Sequence, residues 1–129
     1  TLKIEYIEII IEKTNTGFSA YSKKYPVFTT AKKIFKLKSN LLDALNLHFE
    51  DQGIIIQEAD LKFTLEISNF FKFYKVINAK ALSERIGINQ SLLAQYIGGF
   101  KKPSSKQANR ILKEVQNVGK ELANIQFLN

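Results

Sequence analysis

The chain contains no cysteine, no methionine and no tryptophan, and it has a single histidine. Without cysteine there is no disulfide, no thiol nucleophile and no thiolate zinc site. His48 alone cannot form a histidine cluster for a metal. Long apolar runs are also missing; the longest are a few residues, far short of a bilayer span. No segment has the charged, apolar and small-residue order of a signal peptide. A cytoplasmic protein with no membrane partner is therefore expected. Position 1 is not methionine, which fits trimming of the first residues. What is present is ordinary for a folded protein: 45% hydrophobic residues over 129 positions. That length allows one ordinary domain or two small ones.

Acidic residues are scarce in one half only. Residues 1–66 carry nine Lys or Arg and nine Asp or Glu, whereas residues 67–129 carry ten and three. The whole net charge of +7 thus lies in the C-terminal half. A neutral half joined to a basic half points to a polyanion as partner of the second, nucleic acid first. The alternative is a basic face kept for solubility.

In the N-terminal half, residues 2–12 alternate apolar and charged side chains as a half-buried strand does. The phase changes near Tyr6–Ile7, as a bulge or two-sided burial would produce. Thr14–Gly17 is a turn signal. Phe18–Ser22 reads as the returning strand, and Val27–Thr30 as a short third one. Ile34, Leu37, Leu41, Leu45 and His48 then recur at helical spacing, with Ala44 and Phe49 widening the stripe. The position of His48 favours a packed, hydrogen-bonded ring over a ligand. Gly53 marks the helix stop. Leu61, Phe63, Leu65 and Ile67 alternate as a strand. The order β-β-β-α-β predicts a small antiparallel sheet with one helix on a face. Glu5, Glu8 and Glu12 are not expected to share a face, so no acidic constellation for metal-dependent hydrolysis is expected.

Residues from Ser68 onward read as helical. Phe70, Phe73, Tyr74 and Ile77 mark a first helix face. Asn78 is placed to cap a helix over 79–86, ended by Gly87, and Asn89 to cap another over 90–97. A basic loop, Gly98–Pro103, follows. Ser104 and Gln107 have the spacing of a capping box for a long last helix. Its stripe is Ala108, Ile111, Leu112, Val115, Val118 and Leu122. Val118, Leu122, Ile125, Phe127 and Leu128 offer apolar surface, either to a second copy or to the domain's own core.

Helix, glycine turn and helix are the parts of a helix-turn-helix. Residues 82–104 resemble the lambda-repressor-like (Xre-type) family. The resemblance assigns Leu82 to the core of the first helix and Gly87 to the turn. Ile88 and Leu93 are its buried apolar pair, and Gly99 and Pro103 its following glycine and proline. Two positions depart from the family: Ile97, often glutamate, and Ala79, often glutamine. Asn89, Gln90, Ser91, Ala94 and Gln95 are small and polar, suited to base edges in a major groove. Lys101, Lys102, Ser104 and Lys106 are suited to phosphate oxygens.

Taken together, the two halves resemble the HicB antitoxins. The likeness covers residues 68–128 well. In the first half it rests on the opening strand, Gly17–Tyr21 and the helix containing Leu41–Ala44. The acidic turn and proline-glycine loop usual in the family are replaced by Ser22–Val27. The resemblance implies an α+β chain with a partial ribonuclease-H-like sheet over 1–67 and a helix-turn-helix domain over 68–129. It implies a non-catalytic sheet that binds and blocks HicA, a small basic ribonuclease that cleaves mRNA. It further implies a homodimer or higher even oligomer that binds operator DNA and represses its own operon. A stand-alone transcription regulator is the alternative. No enzyme and no cofactor are expected, since no nucleophile–base pair, metal cluster or phosphate loop is recognisable.

Overall fold

The computed structural model describes residues 5–128. It is an α+β chain with a four-stranded mixed sheet and five α-helices among the described residues. It divides into two compact units, Thr1–Asn69 and Phe70–Asn129.

In the first unit, β1 (Ile7–Lys13), β2 (Phe18–Ser22) and β3 (Phe28–Ala31) form an antiparallel meander. The turn between β1 and β2 closes through Thr14, whose Oγ1 accepts from the Gly17 N–H at 3.0 Å. Gly17 is required there: a Cβ would stand 2.4 Å from the Ala31 carbonyl oxygen. Helix α1 (Ile34–His48) follows, and then β4 (Leu61–Thr64). The strand order is β3-β2-β1-β4.

The sheet is not wholly antiparallel, which corrects the expectation. β4 pairs parallel with β1, Ile7 opposite Leu61 and Ile10 opposite Thr64. Two hairpins leave β3 running in the direction of β1. Helix α1 carries the chain back along the sheet, so the next strand runs that way as well. β4 then takes the free edge of β1 rather than an edge of β3.

Alternation sets the faces of the sheet. Ile7, Ile9 and Ile11 of β1 are buried with Ala20, Leu61 and the α1 stripe Leu37, Leu41 and Leu45. The change of phase near Tyr6 is the start of the strand and not a bulge: β1 begins at Ile7, and Tyr6 is exposed. The part of the expected strand at Leu2–Ile4 lies outside the described residues. Glu8 and Glu12 do share the outward face of β1, contrary to expectation. They are four residues apart, about 13 Å along a strand. Glu12 accepts from the Tyr21 hydroxyl at 3.1 Å, and Glu8 lies 4.0 Å from Lys23.

His48 is exposed and not packed in the stripe. The helix ends there, and Phe49 turns into the core in its place. The His48 ring lies against Tyr25 and Phe49, with centroids 5.5 and 4.9 Å away. The segment after α1 is pinned by Asn46. Its Oδ1 accepts from the Ile56 N–H at 2.7 Å, and its Nδ2 donates to the Ile56 carbonyl at 3.1 Å. One side chain thus satisfies both backbone groups of a buried residue outside any ladder.

Ile67 is not strand. β4 stops at Thr64, and Ile67 opens α2 (Ile67–Phe73). Helix does not run unbroken from Ser68: Tyr74–Asn78 is a loop, and Ile77 lies in it. The second unit continues with α3 (Ala79–Ile86), α4 (Gln90–Ile97) and α5 (Ser105–Ala123). Its buried side chains include Leu82, Leu93, Tyr96 and Ile111. In α5 the stripe is only partly covered, with Leu112 and Leu122 exposed. Ile125, Phe127 and Leu128 are exposed as well, so they do not close a core of this single chain.

Candidate nucleic-acid interface

The second unit's helices are bounded by local chemistry. Asn78 Oδ1 accepts from the Ala81 N–H at 3.0 Å and starts α3. Gly87 ends it in the left-handed region, φ 83°, with its N–H donating to the Ser83 carbonyl. A side chain there would be strained, which is the reason for glycine. After the three-residue turn Gly87–Asn89, Asn89 Oδ1 accepts from the Ser91 N–H at 2.7 Å and opens α4. Leu93 and Tyr96 anchor α4 from its inner side, while Ile88 is only half-buried.

That anchoring fixes what α4 shows outward. Gln90, Ser91, Ala94 and Gln95 are all exposed, and their spacing of three and four puts them on one helical face. Asn89 is exposed at the head of that face. Its Oδ1 is engaged by the cap, which leaves its amide N–H groups to meet a partner. No residue of this face is charged. It can offer paired hydrogen bonds from Gln90 and Gln95, and close approach at Ala94.

The expected phosphate residues lie beyond the end of α4. Lys101 and Lys102 are exposed in the loop, and Lys106 is exposed in the first turn of α5. No carboxylate of the described residues is within ion-pair distance of any of the three. Ser104 is the N-cap of α5; its Oγ accepts from the Gln107 N–H at 3.2 Å, and its own hydroxyl proton can still be donated. The reciprocal half of the capping box is not made. Gln107 Oε1 accepts from Arg110 Nη1 at 2.8 Å instead.

Two arginines are taken up in holding the unit together. Arg110 Nη2 donates to the Ile86 carbonyl at 3.1 Å, tying α5 to the end of α3. Arg85 donates to Glu121 through Nη2 and to Glu114 through Nε. The two hydrogen bonds, to Glu121 and then to Glu114, raise the pKa of its guanidinium above the ordinary arginine value. Two of the unit's three acidic side chains are thereby engaged within the fold by one arginine. Neither reaches the lysines that follow α4.

Phe100 was not singled out by sequence reasoning, although it stands in the basic loop between two glycines and two lysines. It is 88% exposed. The only hint in the sequence is an aromatic residue inside an otherwise small and charged segment.

In the first unit, a groove of ≈ 460 Å³ runs beside Ile11–Lys13 of β1, past the end of β4. Two of its polar side chains are already engaged, Glu12 by Tyr21 and Lys13 by the carbonyls of Thr14 and Gly17, and Thr64, Glu66 and Asn69 line the rest. No group of three metal-ligating side chains occurs among the described residues. No described helix is long and apolar enough to cross a membrane. Comparisons with protein-family models, curated proteins and solved structures found no match to this chain.

Proposed function

We propose that this protein is the antitoxin of a HicA/HicB-type pair: its sheet unit neutralises an mRNA-cleaving toxin, and its helical unit represses the operon. The observation that carries the DNA half is the outward face of α4. An uncharged face of Gln90, Ser91, Ala94 and Gln95 is followed by three lysines that no carboxylate of the described residues pairs with. That is the division of labour of a lambda-repressor-like helix-turn-helix, in which base edges are read by short polar side chains and phosphates gripped by cations. The chain acts without a cofactor and is not an enzyme. The sheet unit, three hairpin-joined strands with a fourth brought beside β1 by a helix, fits the partial ribonuclease-H-like sheet of that family. The exposed apolar residues of α5 and the tail suit a homodimer, which would place two copies of α4 on two half-sites.

The DNA half is tested with duplexes selected by the full chain from a random-sequence pool. Replacing Gln90 and Gln95 by alanine is expected to cost about 1–3 kcal/mol per lost base contact and to relax sequence preference. Unchanged affinity and preference would remove these residues from the readout. The toxin half is tested by co-expression with the small reading frame beside the gene. Co-purification and relief of that neighbour's toxicity support it. A neighbour that is neither toxic nor bound would leave a stand-alone regulator.

A further inference from the structure

We infer that Phe100 is a specificity residue of this interface, seated in the DNA complex against the 5-methyl group of a thymine. The inference rests on the DNA-binding reading above and extends it to a residue of different chemistry.

The geometry of the loop is the starting point. Gly98 continues the spacing of Ala94 and Gln95 and keeps right-handed helical backbone, φ −75° and ψ −7°. It therefore falls on the same face as the polar residues of α4. The Phe100 ring lies over Gly98: a Cβ there would stand 2.7 Å from two ring atoms. The ring thus extends the α4 face by one turn. Gly98 lies about 12 Å along the helix axis from Gln90, three to four base steps of 3.4 Å.

The loop also holds the ring in place. Gly99 takes φ 76° and reverses the chain. The N–H groups of Phe100 and Lys101 then donate to the Gln95 carbonyl at 3.0 and 3.3 Å. The loop is thus fixed on the very helix whose face it extends. An apolar ring exposed between such anchors is left without cover in the free protein.

Charge decides what covers it. Lys101 and Lys102 follow the ring directly and, with Lys106, meet no carboxylate of the described residues. A partner that reaches the ring must also accept these cations, which favours the phosphate backbone of duplex DNA over an apolar protein surface. In a major groove the apolar feature of a base edge is the thymine methyl.

The test uses the full chain and one selected duplex, with thymines replaced one at a time by deoxyuridine, which lacks only the methyl. For wild type, one replacement is expected to weaken binding about fourfold, the value of one buried methyl-sized group. Phe100→Ala is expected to weaken binding to the thymine duplex at least as much and to be indifferent to that same replacement. Gly98→Ala, which displaces the ring and leaves the backbone allowed, is expected to behave like Phe100→Ala. Equal affinity of Phe100→Ala and wild type for the thymine duplex overturns the inference. So does equal weakening of Phe100→Ala on every thymine and deoxyuridine duplex, which would place the ring on a sugar. A wild-type chain that selects no duplex would overturn the DNA-binding reading itself, a distinct result.

Discussion

Removing Lys101 and Lys102 together should change the salt dependence of DNA binding more than its sequence preference. Both side chains are exposed, and no carboxylate of the described residues is paired with them. Their replacement therefore breaks no ion pair and uncovers no buried group. Each cation that neutralises a phosphate adds about 0.9 to the slope of log K against log salt. Losing two should flatten that slope by about 1.8 per bound chain. Over a fourfold rise in salt, from about 50 to 200 mM, this is about a twelvefold difference in how far affinity falls. Fluorescence anisotropy titrations of Lys101→Ala/Lys102→Ala and wild type at four salt concentrations, on selected and scrambled duplexes, would measure it. The expected result is a shallower line for the variant and the same ratio between the two duplexes. Parallel lines, with affinity lowered equally at every salt concentration, would refute the phosphate assignment. A loss confined to the selected duplex would refute it too, by making these lysines readers of sequence.

Other outcomes follow from the packing and the hydrogen bonds. Asn46→Ala removes two hydrogen bonds and leaves both backbone groups of buried Ile56 unpaired, at a cost of about 2 kcal/mol. With an unfolding entropy near 2.1 cal/mol/K per residue over the first unit, Thr1–Asn69, this lowers that unit's Tm by about 14 °C, measurable by thermal melts; an unchanged Tm would show that water replaces the side chain. Gly87→Ala should cost about 1–2 kcal/mol from left-handed backbone strain alone, because nothing lies within 4 Å of its added Cβ. A loss much larger than that in denaturant unfolding would point to a clash instead. Tyr21 donates to Glu12, and this hydrogen bond raises its pKa above the ordinary tyrosine value. The stabilisation is present below that ordinary value and is lost as pH rises through the raised one. Ultraviolet titration should therefore show ionisation moving to lower pH in Glu12→Gln; no movement would sink the assignment.

Features decided within a few residues were legible in the sequence. Asn78, Asn89 and Ser104 cap their helices through oxygens that reach an N–H two or three residues on, and Gly87 supplies the turn. Leu37, Leu41 and Leu45 declared the buried side of α1 by spacing alone. Features decided by distant partners were not. Nothing near Leu61 says whether it will run with or against Ile7. The alternation through Leu65 and Ile67 looked like strand until a local helix claimed Ile67. His48 had helical spacing, yet the helix ends at it, so Phe49 took the buried place. Gln107 stood at the right offset for a capping box, but Arg110 offered its side chain a partner one turn on. Within the interface, the polar face of α4 followed from helical periodicity. Phe100 did not, because its position on that face depends on a chain reversal at Gly99.

The parallel seating of β4 also bears on the order in which the molecule can form. β1 lies inside the sheet, yet its neighbour on one side begins only at Leu61. A chain emerging from the ribosome can zip β1, β2 and β3 early, since these pairings are local. It must then wait through α1 and the stretch up to Asp60 before the other edge of β1 is covered. During that interval the Ile-rich strand presents open N–H and C=O groups, the kind of edge on which chains pair with one another. Closing so distant a contact is slow by its nature. A nascent chain halted before Leu61 should therefore aggregate, while one halted after Thr64 has every strand of its sheet and should stay in solution.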